Sequence, residues 1–91
     1  MKKLGKDEKL LIGQVSGGVN KNEEWLRINW LRRNHLREVA TDESGWEVLY
    51  EDPDDGRYWE LTFIKSESHG GGAPQLSNVD ITESIKSKFN L

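Results

Sequence analysis

The pattern of hydrophobic and polar positions along the chain predicts a strand, a helix, a β-hairpin and a second helix, in that order. Apolar positions between Leu10 and Val15 predict a short strand, and the glycine pair Gly17-Gly18 predicts a turn after it. From Asn22 to about Ala40, apolar side chains recur at the spacing of a helix. Asn22 is a favourable N-cap residue, so we expect the helix to begin there.

One face of this helix carries the apolar residues that we expect to pack against a sheet. At 100° per residue they fall within one arc: Trp25, Ile28, Leu31, Leu36 and Val39. Trp30 lies on a different side, and two interpretations of it stay open. Either it extends the core over the sheet, or it is partly exposed and anchors an interface, as exposed tryptophans often do.

The clearest local signal is a β-hairpin over residues 45–64. Two runs of aromatic and β-branched residues flank a Pro53-Asp54-Asp55-Gly56 turn, in which Gly56 can supply a positive φ. On its second strand, side chains alternate between two faces. The apolar face, which we expect to meet the first helix, carries Trp59, Leu61 and Phe63. The other face, which we expect to be wetter, carries Tyr58, Glu60 and Thr62.

The remaining third of the chain predicts a loop, a short strand and a helix. Lys65–Gln75 is typical of a loop, and Leu76 begins a short strand. Thr82 then caps a terminal helix whose Ile85 and Phe89 lie four residues apart. The fold class is therefore α+β: a small antiparallel sheet containing a central hairpin, packed by one long helix and a short C-terminal helix.

Length and composition indicate one small cytoplasmic domain. The 91 residues suffice for a single core, so we expect a flexible basic arm over residues 1–9 and one domain over residues 10–91. Cysteine is absent, which favours the cytosol. No apolar stretch is long enough for a membrane span. With two histidines and no cysteine, we expect neither a metal site nor a cofactor. The oligomeric state stays open.

The charge distribution points to a basic protein partner. Residues 42–60 hold eight acids and one base, a formal charge of −7, whereas the rest of the chain carries +4. Such polarity favours a basic partner and disfavours nucleic acid, although a solvated hairpin explains it equally well. The predicted partner-binding residues are Glu47, Glu51, Asp52, Asp54, Asp55, Tyr58 and Glu60. For Glu60 the alternative is an internal structural partner, such as an arginine.

Enzyme chemistry is the competing interpretation, and it depends on the loop around residues 69–72. Backbone N–H groups of Gly70-Gly71-Gly72 can cradle phosphate, and the neighbouring His69 can act as a general base. However, the Lys-Ser/Thr of a phosphate-binding loop does not follow, and no partner residues assemble around His69. We therefore expect no catalytic residues, and a structural role for the glycines. A small enzyme or nucleotide-binding module remains the alternative.

Several motifs, taken together, resemble one known family. They are Gly45-Trp46, Leu49-Tyr50, Asp52-Pro53-Asp54-Asp55-Gly56-Arg57-Tyr58-Trp59-Glu60 and His69-Gly70-Gly71-Gly72-Ala73-Pro74. At this spacing they resemble the immunity protein 27 family, over roughly residues 10 to 90. Val15 and Ile64 depart from the aromatic and the proline expected at those positions.

The resemblance implies a bacterial polymorphic toxin system, in which an immunity protein binds and blocks a toxin in the cell that makes it. The implied partner is a cognate toxin domain, and a basic nuclease is one candidate. The resemblance further implies that Trp46, Trp59 and Gly70–Gly72 belong to the scaffold, whereas more variable surface residues set specificity.

Overall fold

The computed structural model describes residues 1–13, 15–16, 20–21, 23–64 and 73–91. In chain order the elements are β1 (Leu10–Ile12), β2 (Val15–Ser16), β3 (Asn20–Lys21), α1 (Glu23–Asn34), β4 (Arg37–Thr41), β5 (Val48–Glu51), β6 (Tyr58–Ile64), β7 (Ala73–Val79) and α2 (Glu83–Phe89). Five strands form an antiparallel sheet in the order β1-β7-β6-β5-β4, and β2 pairs with β3. The predicted α+β class is confirmed.

The predicted hairpin lies at the centre of the sheet as β5 and β6. Its register pairs Val48 with Leu61 and Glu51 with Tyr58. The connecting turn closes through two backbone bonds between residues 52 and 57 and between residues 56 and 52. Gly56 has a φ of 76°, the left-handed conformation that the sequence predicts for it.

Alternation along the strands gives the sheet two apolar faces, and one helix covers each. Ile28 and Leu31 of α1 pack with the buried Trp59 and Leu61 of β6. The opposite face holds Leu49 together with Ile85 and Phe89 of α2. Trp30 and Phe63 are partly buried at the edge of the first core, so Trp30 extends the core, the first of its two interpretations.

The first helix is shorter than the sequence predicts. It ends at Asn34, and residues 37–41 form the edge strand β4 instead of further helical turns. The backbone N–H groups of His35 and Leu36 both bond to the carbonyl of Leu31, which ends the helix. The following residues pair with β5, a tertiary interaction that outweighs the helical spacing of Val39. The prediction of a helix to Ala40 was therefore wrong.

The strand β7 begins earlier than predicted, at Ala73, within the segment expected to be a loop. Proline lacks a backbone donor and is rare in central strands, so its presence argues against a strand. Here Pro74 lies opposite Phe63, and its carbonyl accepts a 2.8 Å hydrogen bond from the N–H of Gly13. That bond carries the pairing of β1 and β7 one residue beyond β1.

The C-terminal helix matches its prediction. The Thr82 hydroxyl accepts from the N–H of Ile85, and Asn90 closes the helix in the left-handed conformation. Ile85 and Phe89 are buried. Neither of the helices among the described residues is long and apolar enough to cross a membrane.

The N-terminal segment, for which the sequence predicts a flexible arm, lies against α1 and the hairpin. Arg27 donates to the carbonyls of Lys2 and Lys3 and to both carboxylate oxygens of Glu8. Arg57 donates to the carbonyls of Gly5 and Glu8, at 2.8 Å in each case. Two arginines thus hold residues 1–9 along the domain.

Candidate protein-binding surface

Most acids of the segment 42–60 have a basic partner, and most of these partners come from elsewhere in the fold. Six of its eight acids have a basic partner: Glu47 and Glu60 pair with Lys88, Glu51 with Arg37, Asp52 with His35, Asp54 with Lys3, and Asp55 with Arg57. Four of these five bases lie outside the segment counted as −7. Lys3, Arg37 and Lys88 each bring one positive charge, so with His35 neutral the formal charge falls by 3, from −7 to −4.

Glu60 is held inside the molecule by Lys88 of α2. The Lys88 ammonium donates to Glu60 and lies 2.5 Å from a carboxylate oxygen of Glu47, so it bridges the two acids. Partial burial lowers the pKa of Lys88, but the hydrogen bonds to Glu47 and Glu60 outweigh that effect and raise the pKa above its ordinary value. Glu60 thus has the internal partner that one interpretation expects, with a lysine in place of the arginine.

The turn of the hairpin is organised by the buried carboxylate of Asp52. Its Oδ1 accepts from the backbone N–H of Asp54 at 2.9 Å and lies 2.9 Å from the Nε2 of His35. His35 is placed there by the end of α1, and a carboxylate oxygen of Asp54 lies 3.7 Å from the same Nε2. Sequence reasoning treated these acids as surface residues, because the histidine that buries Asp52 is distant along the chain.

The same three residues are the group of potential metal ligands found among the described residues. The donor atoms of His35, Asp52 and Asp54 lie within 4.8 Å of one another. Zinc bound at about 2.0–2.2 Å in tetrahedral geometry would hold two such donors roughly 3.4 Å apart. The 2.9 Å between His35 and Asp52 is a hydrogen-bond distance. We therefore assign a hydrogen bond that fixes the turn.

Asp55 and Tyr58 also have structural neighbours. A backbone N–H and the side chain of Arg57 both donate to Asp55, and these bonds lower the pKa of the Asp55 carboxyl. Tyr58 is half-buried and packs against the core beneath α2. Of the predicted binding residues at the turn, Asp54 and Asp55 keep substantial solvent exposure, whereas Asp52 is buried.

The loop that joins β4 to β5, residues 42–47, differs from the hairpin turn. Asp42 accepts from the Ser44 hydroxyl and from the backbone N–H groups of Gly45 and Glu47. These bonds, the Ser44 hydroxyl first, lower the pKa of Asp42 and keep its carboxylate ionised. Glu43 is exposed, and no Lys, Arg or His of the described residues lies within ion-pair distance of it.

The two tryptophans expected to form the scaffold occupy opposite environments. Trp59 is fully buried at the centre of the first core. Trp46 is 72% exposed and makes an edge-to-face contact with Phe63, their ring centres 6.5 Å apart. Trp46 is thus outside both cores. Gly70–Gly72 and His69 lie outside the described residues, so the predictions on them stay predictions.

Comparison with known proteins gives one match. The sequence profile of the immunity protein 27 family matches residues 14–80, about three quarters of the chain. No curated protein and no solved structure matches the chain. The matched region contains α1 and the whole of the central hairpin, including the turn organised by Asp52. The chain therefore belongs to the immunity protein 27 family.

Proposed function

We propose that this protein binds a cognate toxin domain of a bacterial polymorphic toxin system and neutralises it by direct contact, in the cytoplasm of the producing cell. The observation that carries the proposal is the family match over residues 14–80. Membership of an immunity family supports a binding role and not catalysis.

The architecture suits an inhibitor that binds its toxin without a large change of conformation. Helices on both faces of one sheet, each with its own core, give a surface whose backbone is already ordered in the free protein. A binding surface that is ordered beforehand loses less conformational entropy when the complex forms. The internal ion pairs contribute to this order, because they fix long side chains such as Lys88 and Arg57 against the sheet.

The acidic hairpin is the surface that we predict to face the toxin, and a basic nuclease is the kind of toxin that it fits. Complementary charge accelerates encounter and rejects wrong partners more than it adds affinity. Internal pairing of the predicted contacts limits this effect, so we expect the unpaired or solvent-exposed acids of the segment to dominate.

The test is coexpression with the toxin. If the gene directly upstream encodes a multidomain toxin, as the proposal expects, the C-terminal domain of that toxin is the probe. It is expressed from an inducible promoter in a bacterium that lacks the immunity gene. We expect that domain to stop growth, and coexpression of the full immunity chain to restore it. The two proteins should also elute together in size-exclusion chromatography.

A matched control is an unrelated immunity protein expressed at the same level from the same plasmid. Growth arrest that persists despite abundant folded immunity chain would contradict the proposal. Rescue without complex formation would also contradict it, because it would show that protection does not depend on direct contact.

A further inference from the structure

The most exposed aromatic side chain among the described residues belongs to Trp46, in the loop of residues 42–47, here called the Trp46 loop. A tryptophan that is 72% exposed keeps a large apolar surface in water, and its burial in a complex is favourable. Phe63 contacts the indole in an edge-to-face arrangement, with the ring centres 6.5 Å apart. Tryptophan is also among the residues most enriched at the energetic centres of protein interfaces.

The Trp46 loop is held in one shape by its own hydrogen bonds. Asp42 and Glu47 are joined through their backbones at 3.0 Å, and the Asp42 carboxylate accepts three further bonds within the loop. The N–H of Trp46 itself donates to the Ser44 hydroxyl. Gly45 has a φ of 79°, which turns the chain at the point where the indole leaves the surface. The indole is therefore presented on an ordered loop.

The acids of the segment that have no ion-pair partner among the described residues lie in the same loop. Of the eight acids between residues 42 and 60, Asp42 and Glu43 are the two without a Lys, Arg or His partner among the described residues. Asp42 is hydrogen-bonded by neutral groups, and these bonds together with the charge of Lys88 lower its pKa. Glu43 is exposed to solvent. An exposed apolar side chain and two carboxylates without an ion-pair partner thus coincide at one end of the acidic segment.

We propose that the Trp46 loop is the principal contact with the toxin domain, with Trp46 entering an apolar pocket whose rim carries lysine or arginine. The proposal rests on the proposed function and narrows the predicted acidic surface to its unpaired end. The partner's chemistry follows from the loop: an apolar pocket covers the indole, and a basic rim compensates Asp42 and Glu43. The acids of the turn at residues 52–57 already have basic partners. We therefore expect this turn to contribute little or nothing to the contact with the toxin domain.

The experiment measures how tightly full-length variants of this protein bind the same toxin domain. The toxin domain is first separated in denaturant from its complex with the parental protein and is then refolded. We expect Trp46→Ala to raise Kd by at least about 30-fold, as truncation of a central tryptophan does. We expect Glu43→Lys to slow association several-fold at low salt and to flatten the salt dependence of the association rate. The matched control is Leu26→Ala, another exposed apolar residue. Asp54→Lys, at the hairpin turn, is measured as the test of the competing surface.

Each outcome decides between surfaces. A strong loss of binding with Trp46→Ala and Glu43→Lys, together with parental binding by Leu26→Ala and a smaller loss with Asp54→Lys, supports the Trp46 loop. Parental binding by both loop variants overturns the inference and leaves the proposed function intact. A larger loss with Asp54→Lys moves the interface to the hairpin turn and also overturns it. If the parental chain itself does not bind, the proposed function fails and this inference with it.

Folding is checked by circular dichroism and thermal melting of every variant. Because Trp46 is 72% exposed and Glu43 has no ion-pair partner among the described residues, we expect both variants to melt close to the parental protein. Should Trp46→Ala lose its fold, Glu43→Lys and the milder Trp46→Phe test the same loop.

Discussion

The guanidinium of Arg57 lies 5.0 Å from the centre of the Trp59 ring, so a cation covers an indole that is fully buried. Both residues belong to the matched hairpin, two positions apart on the same face of the chain. The nitrogens of Arg57 donate to Asp55, Gly5 and Glu8, while its guanidinium lies over the ring. Lysine cannot combine these contacts, because it lacks the planar fork of donors.

Trp59→Ala should leave the domain largely unfolded or badly destabilised. Removing a fully buried aromatic side chain from a core costs about 3–5 kcal/mol, which is a large part of the stability of a small domain. Urea unfolding followed by circular dichroism measures the loss. A melting temperature within a few degrees of the parental value would show that Trp59 is not a core residue.

Trp59→Phe is the matched control for that prediction. The Nε1 of Trp59 is buried and has no hydrogen-bond partner among the described residues, and an unsatisfied buried donor costs about 1–3 kcal/mol. Phenylalanine removes this unsatisfied donor while it keeps an aromatic ring under Arg57, so its net cost should be clearly smaller than that of alanine.

A second prediction concerns the close approach of β1 to β7. A Cβ at Gly13 would lie 3.0 Å from the carbonyl oxygen of Pro74 and 3.1 Å from two carbons of its ring. Gly13→Ala should therefore force backbone movement and lower the free energy of unfolding by about 1–3 kcal/mol. Gly5→Ala is the control, because the nearest atom to its Cβ lies at an ordinary 3.5 Å. Equal stability of the two variants would contradict the pairing of β1 and β7 at this point.

The sequence predicts the parts of the fold that local rules decide. The hairpin follows from alternation on either side of Asp52–Gly56, and α2 follows from its cap at Thr82. The strand β4 was missed because Val39 happens to satisfy helical spacing, and only its pairing with β5 determines its structure. Pro74 concealed the start of β7, because a central strand seldom contains proline.

The candidate site was harder to predict, because its charges are compensated over long sequence distances. Lys88 is 28 residues from Glu60 along the chain, and Lys3, near the N-terminus, pairs with Asp54. Summing charges along residues 42–60 cannot detect these partners. The exposure of Trp46 likewise depends on the position of its loop relative to the sheet. The sequence shows only an aromatic residue after a glycine.

The last prediction concerns acid stability and the contact between the N-terminal segment and α1. Hydrogen bonds from Arg27 lower the pKa of Glu8 from 4.5 to about 2, against the opposing effect of partial burial. Since the folded state holds the carboxylate ionised to lower pH than the unfolded state, the contact stabilises the protein fully above pH 4.5. Its contribution declines as the pH falls from 4.5 towards 2.

Glu8→Gln removes this titration and tests it. Because the pair is partly solvated, we expect it to contribute about 1 kcal/mol at neutral pH. The difference in free energy of unfolding between the parental chain and Glu8→Gln should be largest above pH 5 and should shrink towards zero near pH 2. Urea unfolding at several pH values measures that difference, and other carboxylates largely cancel from it because both proteins contain them. A difference that stays constant across this range would show that Glu8 does not titrate against Arg27, and that residues 1–9 are not held to α1 by this pair.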